Sequence, residues 1–118
     1  MKKQLLIWGI LVLQYTVILA QSTPSYPQQL PDYPVAQGVS APFAGFINDW
    51  LVVGGGCNFP GKPAAEGGKK VFYNQCYALN LQSASPRWIS LSDFPYPVAY
   101  GCSVETPQGL VCIGGANA

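Results

Sequence analysis

The chain has 118 residues, a formal net charge of +1, no histidine and four cysteines, and 9% of its residues are charged. That balance excludes a disordered chain, which needs low hydrophobicity and high net charge. It also excludes an electrostatic footprint for nucleic acid.

Met1-Lys2-Lys3 is a short basic start, and Leu5 to Ala20 is largely apolar, interrupted by Gln14-Tyr15-Thr16. Ala20 is a small residue suited to a cleavage point. Residues 1–20 therefore read as a secretory signal peptide. The run falls short of the ~20 apolar residues that a membrane span needs, so no stable membrane anchor is expected after cleavage. Loss of Lys2 and Lys3 leaves four basic against five acidic side chains, a net charge of −1.

Residues 21–38 carry Pro24, Pro27, Pro31 and Pro34 at intervals of three or four. They predict an extended, partly polyproline-like lead-in ending at Gly38. Val39 to Ile47 is strand-like, Asn48-Asp49 is a turn signal, and Trp50 to Val53 is an apolar run closed by Gly54-Gly55-Gly56. Val71 to Leu81 and Arg87 to Leu91 are further strand candidates. Four short strands with turns between them predict one antiparallel sheet, and no segment has a helical period.

The pattern then restarts. Ala99 to Glu105 resembles the first strand, Thr106-Pro107-Gln108-Gly109 makes a turn, and Leu110 to Gly115 repeats Leu51 to Gly55 about 60 residues later. A kelch repeat runs to ~50 residues; the excess lies in the loop Cys57 to Lys70. An apolar run, Gly-Gly, then Tyr77 and Trp88 is the order of a kelch repeat. The glycines permit a sharp backbone turn beside crowded neighbours, and the aromatics fill the wedge between blades. The expected fold class is an all-β, kelch-type β-propeller. Residues 39–98 form the first blade and 99–118 the first half of a second. Propellers typically close with four to eight blades, so one and a half blades predict a truncated product.

The loop carries a resemblance. Gly55-Gly56-Cys57-Asn58-Phe59-Pro60-Gly61-Lys62-Pro63, then Glu66-Gly67-Gly68-Lys69-Lys70-Val71, resembles the bacterial sialic acid mutarotases (N-acetylneuraminate epimerases) of the cyclically permuted branch. Phe94-Pro95, Ala99-Tyr100-Gly101 and Gly109 to Gly115 extend the likeness. The resemblance implies a six-bladed propeller in the periplasm or secreted. It implies interconversion of the α and β anomers of N-acetylneuraminate, with this sugar acid as partner and no cofactor. Cys57 and Cys102 depart from the family pattern, where alanine and valine are expected.

Anomer exchange needs a proton delivered to the ring oxygen and one removed from the anomeric hydroxyl, with a clamp for the carboxylate. Glu66, in a Gly-rich loop of the kind that rims a propeller mouth, is the acid/base candidate; it would otherwise pair with Lys69 or Lys70. Lys69 and Lys70 are candidates for the anionic sugar, or a solvated pair. Asn58 would bond sugar hydroxyls, or form a turn with Phe59-Pro60. Phe59 would floor the acetyl group, or pack beneath the loop. Tyr100 points into the channel or packs between blades. The cysteines have no zinc spacing and no histidine to complete a set, so no metal is expected. Cys102 and Cys112 flank one turn and could bridge across it in an oxidising compartment; the other reading is four free thiols packed as small apolar groups. The rival to an enzyme is a non-catalytic kelch module that binds a glycan or a protein.

Overall fold

The computed structural model describes residues 29–118. The signal-peptide reading of residues 1–20 and the first part of the lead-in, 21–28, lie outside the described residues.

Among the described residues eight strands form: β1 (Phe43–Ile47), β2 (Trp50–Gly54), β3 (Cys57–Asn58), β4 (Val71–Phe72), β5 (Cys76–Asn80), β6 (Trp88–Ser90), β7 (Cys102–Thr106) and β8 (Gly109–Ile113). The main sheet is antiparallel with the order β1-β2-β5-β6. Each strand therefore lies beside its neighbour in the meander, as in one propeller blade. Strands β3 and β4 make a separate two-stranded ribbon, and β7 and β8 a hairpin.

Three strands differ from expectation. The first begins at Phe43 rather than Val39, because Ala41 takes the left-handed conformation, φ 51°; Ser40 instead makes an isolated bridge to Cys57. Val71 to Leu81 is two strands. Between them the Tyr73 amide donates to the Gly56 carbonyl and the Tyr73 carbonyl accepts from Val98, which takes the backbone off both sheets. The seventh strand begins at Cys102 rather than Ala99, because Tyr100 has φ 67°.

The repeat extends to the backbone. Ser40 bridges Cys57 and Ala99 bridges Ala116, each pair displaced by the same 59 positions. Ala41 and Tyr100, Gly55 and Gly114, and Gly56 and Gly115 share positive φ at that spacing. The structural period is thus 59 residues, with the ribbon and its loop inserted between β2 and β5.

The blade and the hairpin share one core. Phe43, 3% exposed, stacks edge-on against Phe94 at 5.4 Å. Any Cβ at Gly101 would collide with the Phe43 ring, and one at Gly45 with Leu110. The edge of β1 is closed by β7 side chains: Ser103 Oγ accepts from Ala44 N–H at 3.1 Å, and Glu105 Oε1 accepts from Phe46 N–H at 2.7 Å.

On the other face of the blade the lead-in covers Tyr77 and Trp88. Tyr33 stacks edge-on against Tyr77 at 5.5 Å and Trp88 at 5.3 Å, and Trp88 Nε1 donates to the Pro31 carbonyl at 3.0 Å. The two aromatics of the kelch order are thus occupied here by the chain's own residues. Burial, with Tyr77 nearby, pushes the Tyr33 hydroxyl up to about 12, and that hydroxyl has no hydrogen-bond partner among the described residues. A phenol whose pKa is raised by folding contributes full stability below its ordinary value near 10, and loses it as pH rises through the folded value. Lead-in docking should therefore weaken between about pH 10 and 12. Tyr33→Phe should flatten that dependence in unfolding midpoints measured across the range; an unchanged slope contradicts it.

All four cysteines are free. The Cys102–Cys112 bridge is corrected by register: Cys112 pairs with Ser103, and Cys102 with Ile113. The two thiols fall one position out of step and face opposite sides of the hairpin. Burial raises the Cys76 and Cys112 thiols, which suits packed, neutral groups.

Candidate functional site

At one end of the blade β2 leaves, β5 enters and β7 begins, so the long loop and the start of the second repeat meet there. Gly55 and Gly56 make this possible. Gly56 N–H donates to the Val98 carbonyl at 2.8 Å, and Gly55 N–H to the Gln75 carbonyl at 3.0 Å. Both glycines have positive φ, and a Cβ on Gly56 would lie 2.8 Å from Val39 Cβ. The turn is thus stitched through its backbone to two other segments, residues 73–75 and Val98.

The ribbon that follows delivers Lys70. Its Nζ donates to the Tyr100 hydroxyl at 2.8 Å. It also stands 5.0 Å from the centroid of the Tyr100 ring, 5.7 Å from Phe59 and 5.9 Å from Phe72. Three aromatic rings therefore lie around one ammonium, two of them, Phe59 and Phe72, as cation–π partners and Tyr100 through its hydroxyl. The Tyr100 hydroxyl raises the Lys70 pKa, so the side chain is charged. Buried Cys57, at the base of the ribbon, donates its thiol to the same hydroxyl at 3.3 Å.

Asn58 holds the loop. Its Nδ2 donates to the carbonyls of Gly38 at 2.7 Å and Ala36 at 3.2 Å, and its Oδ1 accepts from the Tyr73 hydroxyl at 2.8 Å. Both donors are spent within the chain, which ties the lead-in to the ribbon. Glu66 ends a 3₁₀ turn, Ala64–Glu66, with Gly67 left-handed after it. Glu66 and Lys69 are exposed. Phe59 is half-buried and contributes to the ring frame. The residue that sequence reasoning set aside is Tyr100. Its signal was composite: a large aromatic at the repeat position of Ala41, where the backbone turns left-handed. Among the described residues no group of three or more His, Cys, Asp or Glu is placed to hold a metal ion.

An antiparallel four-stranded meander, a Gly-Gly turn after its second strand and a restart after 59 positions define a kelch-type β-propeller blade, followed here by the first hairpin of the next. No protein-family model matches the chain. Over 90 residues it is 33% identical to an N-acetylneuraminate epimerase of Yersinia enterocolitica, covering 69% of this chain and 22% of the relative. It is 31% identical over 102 residues to one of Haemophilus influenzae, covering 75% and 26%. The solved structure of YjhT superposes with a TM-score of 0.62 at 30% identity, covering 75% of this chain and 27% of that one. The chain is a homologue of the N-acetylneuraminate epimerases, and spans about a quarter of the length of these relatives.

Proposed function

We propose that the chain is a segment of an exported sialic acid mutarotase, acting in the periplasm or outside the cell. The observation that carries the reading is the Lys70 ammonium, framed by Phe59, Phe72 and Tyr100 at the loop end of a blade homologous to N-acetylneuraminate epimerases. A sugar acid offers this frame two complementary parts: a carboxylate for the cation, and C–H and acetyl groups for the ring faces. Lys69 adds charge beside it. Export rests on Met1-Lys2-Lys3 and the apolar run to Ala20.

The chemistry is a ring opening and reclosure. A base removes the anomeric hydroxyl proton, an acid protonates the ring oxygen, and the ring C–O bond breaks to give the open-chain keto acid. The ring then closes from the other face of the carbonyl, with the two protons returned. No cofactor takes part. Glu66, on an exposed turn of the same loop, is the group in this segment able to move such a proton. Asn58 positions the ribbon.

The test follows freshly released α-N-acetylneuraminate by NMR. Two samples are used: the 118-residue chain, and the Haemophilus influenzae relative with its matched region replaced by residues 37–117 of this chain. The chain alone should leave anomer exchange at the buffer rate, and the folded chimera should accelerate it. A folded chimera that binds the sugar without accelerating exchange would favour a glycan-binding module. Acceleration by the chain alone would overturn the segment reading.

A further inference from the structure

Tyr100 occupies a backbone conformation that tyrosine rarely adopts, φ 67°. Such a residue costs on the order of 1–3 kcal/mol, and an observed outlier of this kind points to function. The repeat shows that the fold itself asks only for the left-handed corner: at the equivalent position Ala41 has φ 51° with a methyl side chain. Burial does not account for the tyrosine either, because Tyr100 is 52% exposed. The residue does three other things, two of them through its side chain. Its hydroxyl accepts hydrogen bonds from Lys70 Nζ at 2.8 Å and from the Cys57 thiol at 3.3 Å. Its ring lies nearest the ammonium of the three that frame it. Its backbone N–H donates to the Ala41 carbonyl at 3.1 Å, so one left-handed corner anchors the other.

The consequence for Lys70 is geometric. A free lysine on an exposed strand end samples many rotamers, and fixing it costs up to ~2 kcal/mol of side-chain entropy. Here one N–H of the ammonium is already committed to Tyr100, and the ammonium lies 5.0 to 5.9 Å from the centroids of three aromatic rings. The other two N–H groups of the ammonium remain for a ligand. A neutral sugar gains little from such a preset cation, whereas a carboxylate gains a charge-assisted hydrogen bond without the ordering cost.

We propose that Tyr100 is the positioning residue that makes this rim select a carboxylate-bearing sugar: it holds Lys70 across the seam between the first blade and the second repeat. The proposal rests on the sugar-acid reading above but concerns the source of selectivity rather than the anomer chemistry.

The test is an NMR titration of the ¹⁵N-labelled full chain with N-acetylneuraminate, glucuronate and neutral N-acetylmannosamine, at low and high salt. The proteins are wild type, Tyr100→Phe, Tyr100→Gly, Lys70→Met and, as a remote charge control, Arg87→Gln. Tyr100→Gly relaxes the strained backbone, so loss of binding there is not loss of fold. The acids should shift the amides around Lys70 and Tyr100 in a salt-sensitive way, and the neutral sugar should not. Tyr100→Phe should weaken acid binding about tenfold. Lys70→Met should abolish it, with Tyr100→Phe adding nothing in that background, and Arg87→Gln should leave it unchanged. Acid binding by Tyr100→Phe equal to wild type overturns the role of Tyr100 and leaves the sialic acid reading standing. Glucuronate binding that depends on Tyr100, with no response to N-acetylneuraminate, keeps the role and removes that reading. No response to either acid overturns both.

Discussion

Gly55→Ala should destabilise the blade by about 2–4 kcal/mol, combining the strain of a left-handed alanine with overlap in a tight site. Gly55 has φ 66°, and an added Cβ would run into the Val98 carbonyl oxygen. That oxygen is the acceptor for Gly56 N–H, and Val98 N–H in turn donates to the Tyr73 carbonyl. The methyl would therefore push apart the stitch joining the Gly-Gly turn, the ribbon exit and the entry to the second repeat. Urea unfolding followed by tryptophan fluorescence should show the midpoint fall steeply or the cooperative transition vanish. A midpoint within error of wild type would mean that the turn relaxes without cost.

Phe43→Ala should cost about 3–5 kcal/mol, the range for truncating a fully packed phenylalanine. Its effect should be uneven. The ring is the shared wall between blade and hairpin: it fills the space over Gly101, contacts Phe94, and lies 3.4 Å from where a Cβ on Gly115 would sit. Hydrogen exchange should accelerate most in β7 and β8, which have a single strand partner each and otherwise lean on β1. The amides shared by β2 and β5 should retain more protection. Uniform acceleration across both sheets would show that blade and hairpin unfold as one unit.

The fold was readable where physical chemistry acts locally. Alternating or continuous apolar runs bounded by Gly, Pro and Asn located six of the strands, and the return of Leu-Val-Cys-Ile-Gly-Gly after Leu-Val-Val-Gly-Gly announced the repeat. What was not readable depended on partners distant in sequence. Nothing near Tyr73 says that it leaves one sheet for another; that follows from carbonyls and amides of Gly56 and Val98. The left-handed corners at Ala41 and Tyr100 carry no glycine or asparagine to mark them. The candidate site divides in the same way. Lys70 and Phe59 were named from residue type and loop context, but their meeting with Tyr100, 30 positions on from Lys70, is a product of topology. Asn58 was named as a sugar contact or a turn former, and its partners in the lead-in give it a structural task that composition cannot assign. Tyr33 lay in a stretch read as a proline-rich lead-in, yet it supplies the ring that covers Tyr77 and Trp88.

The paired corners at Ala41 and Tyr100 also bear on how a tandem architecture acquires chemistry. The backbone path is duplicated, so each copy offers the same left-handed position. One copy keeps a methyl group and serves the scaffold alone; the other holds an aromatic hydroxyl facing a cation. Function can then be written into a single repeat by changing one side chain, while the other copy, whose Ala41 carbonyl accepts from Tyr100 N–H, preserves the geometry on which that side chain depends.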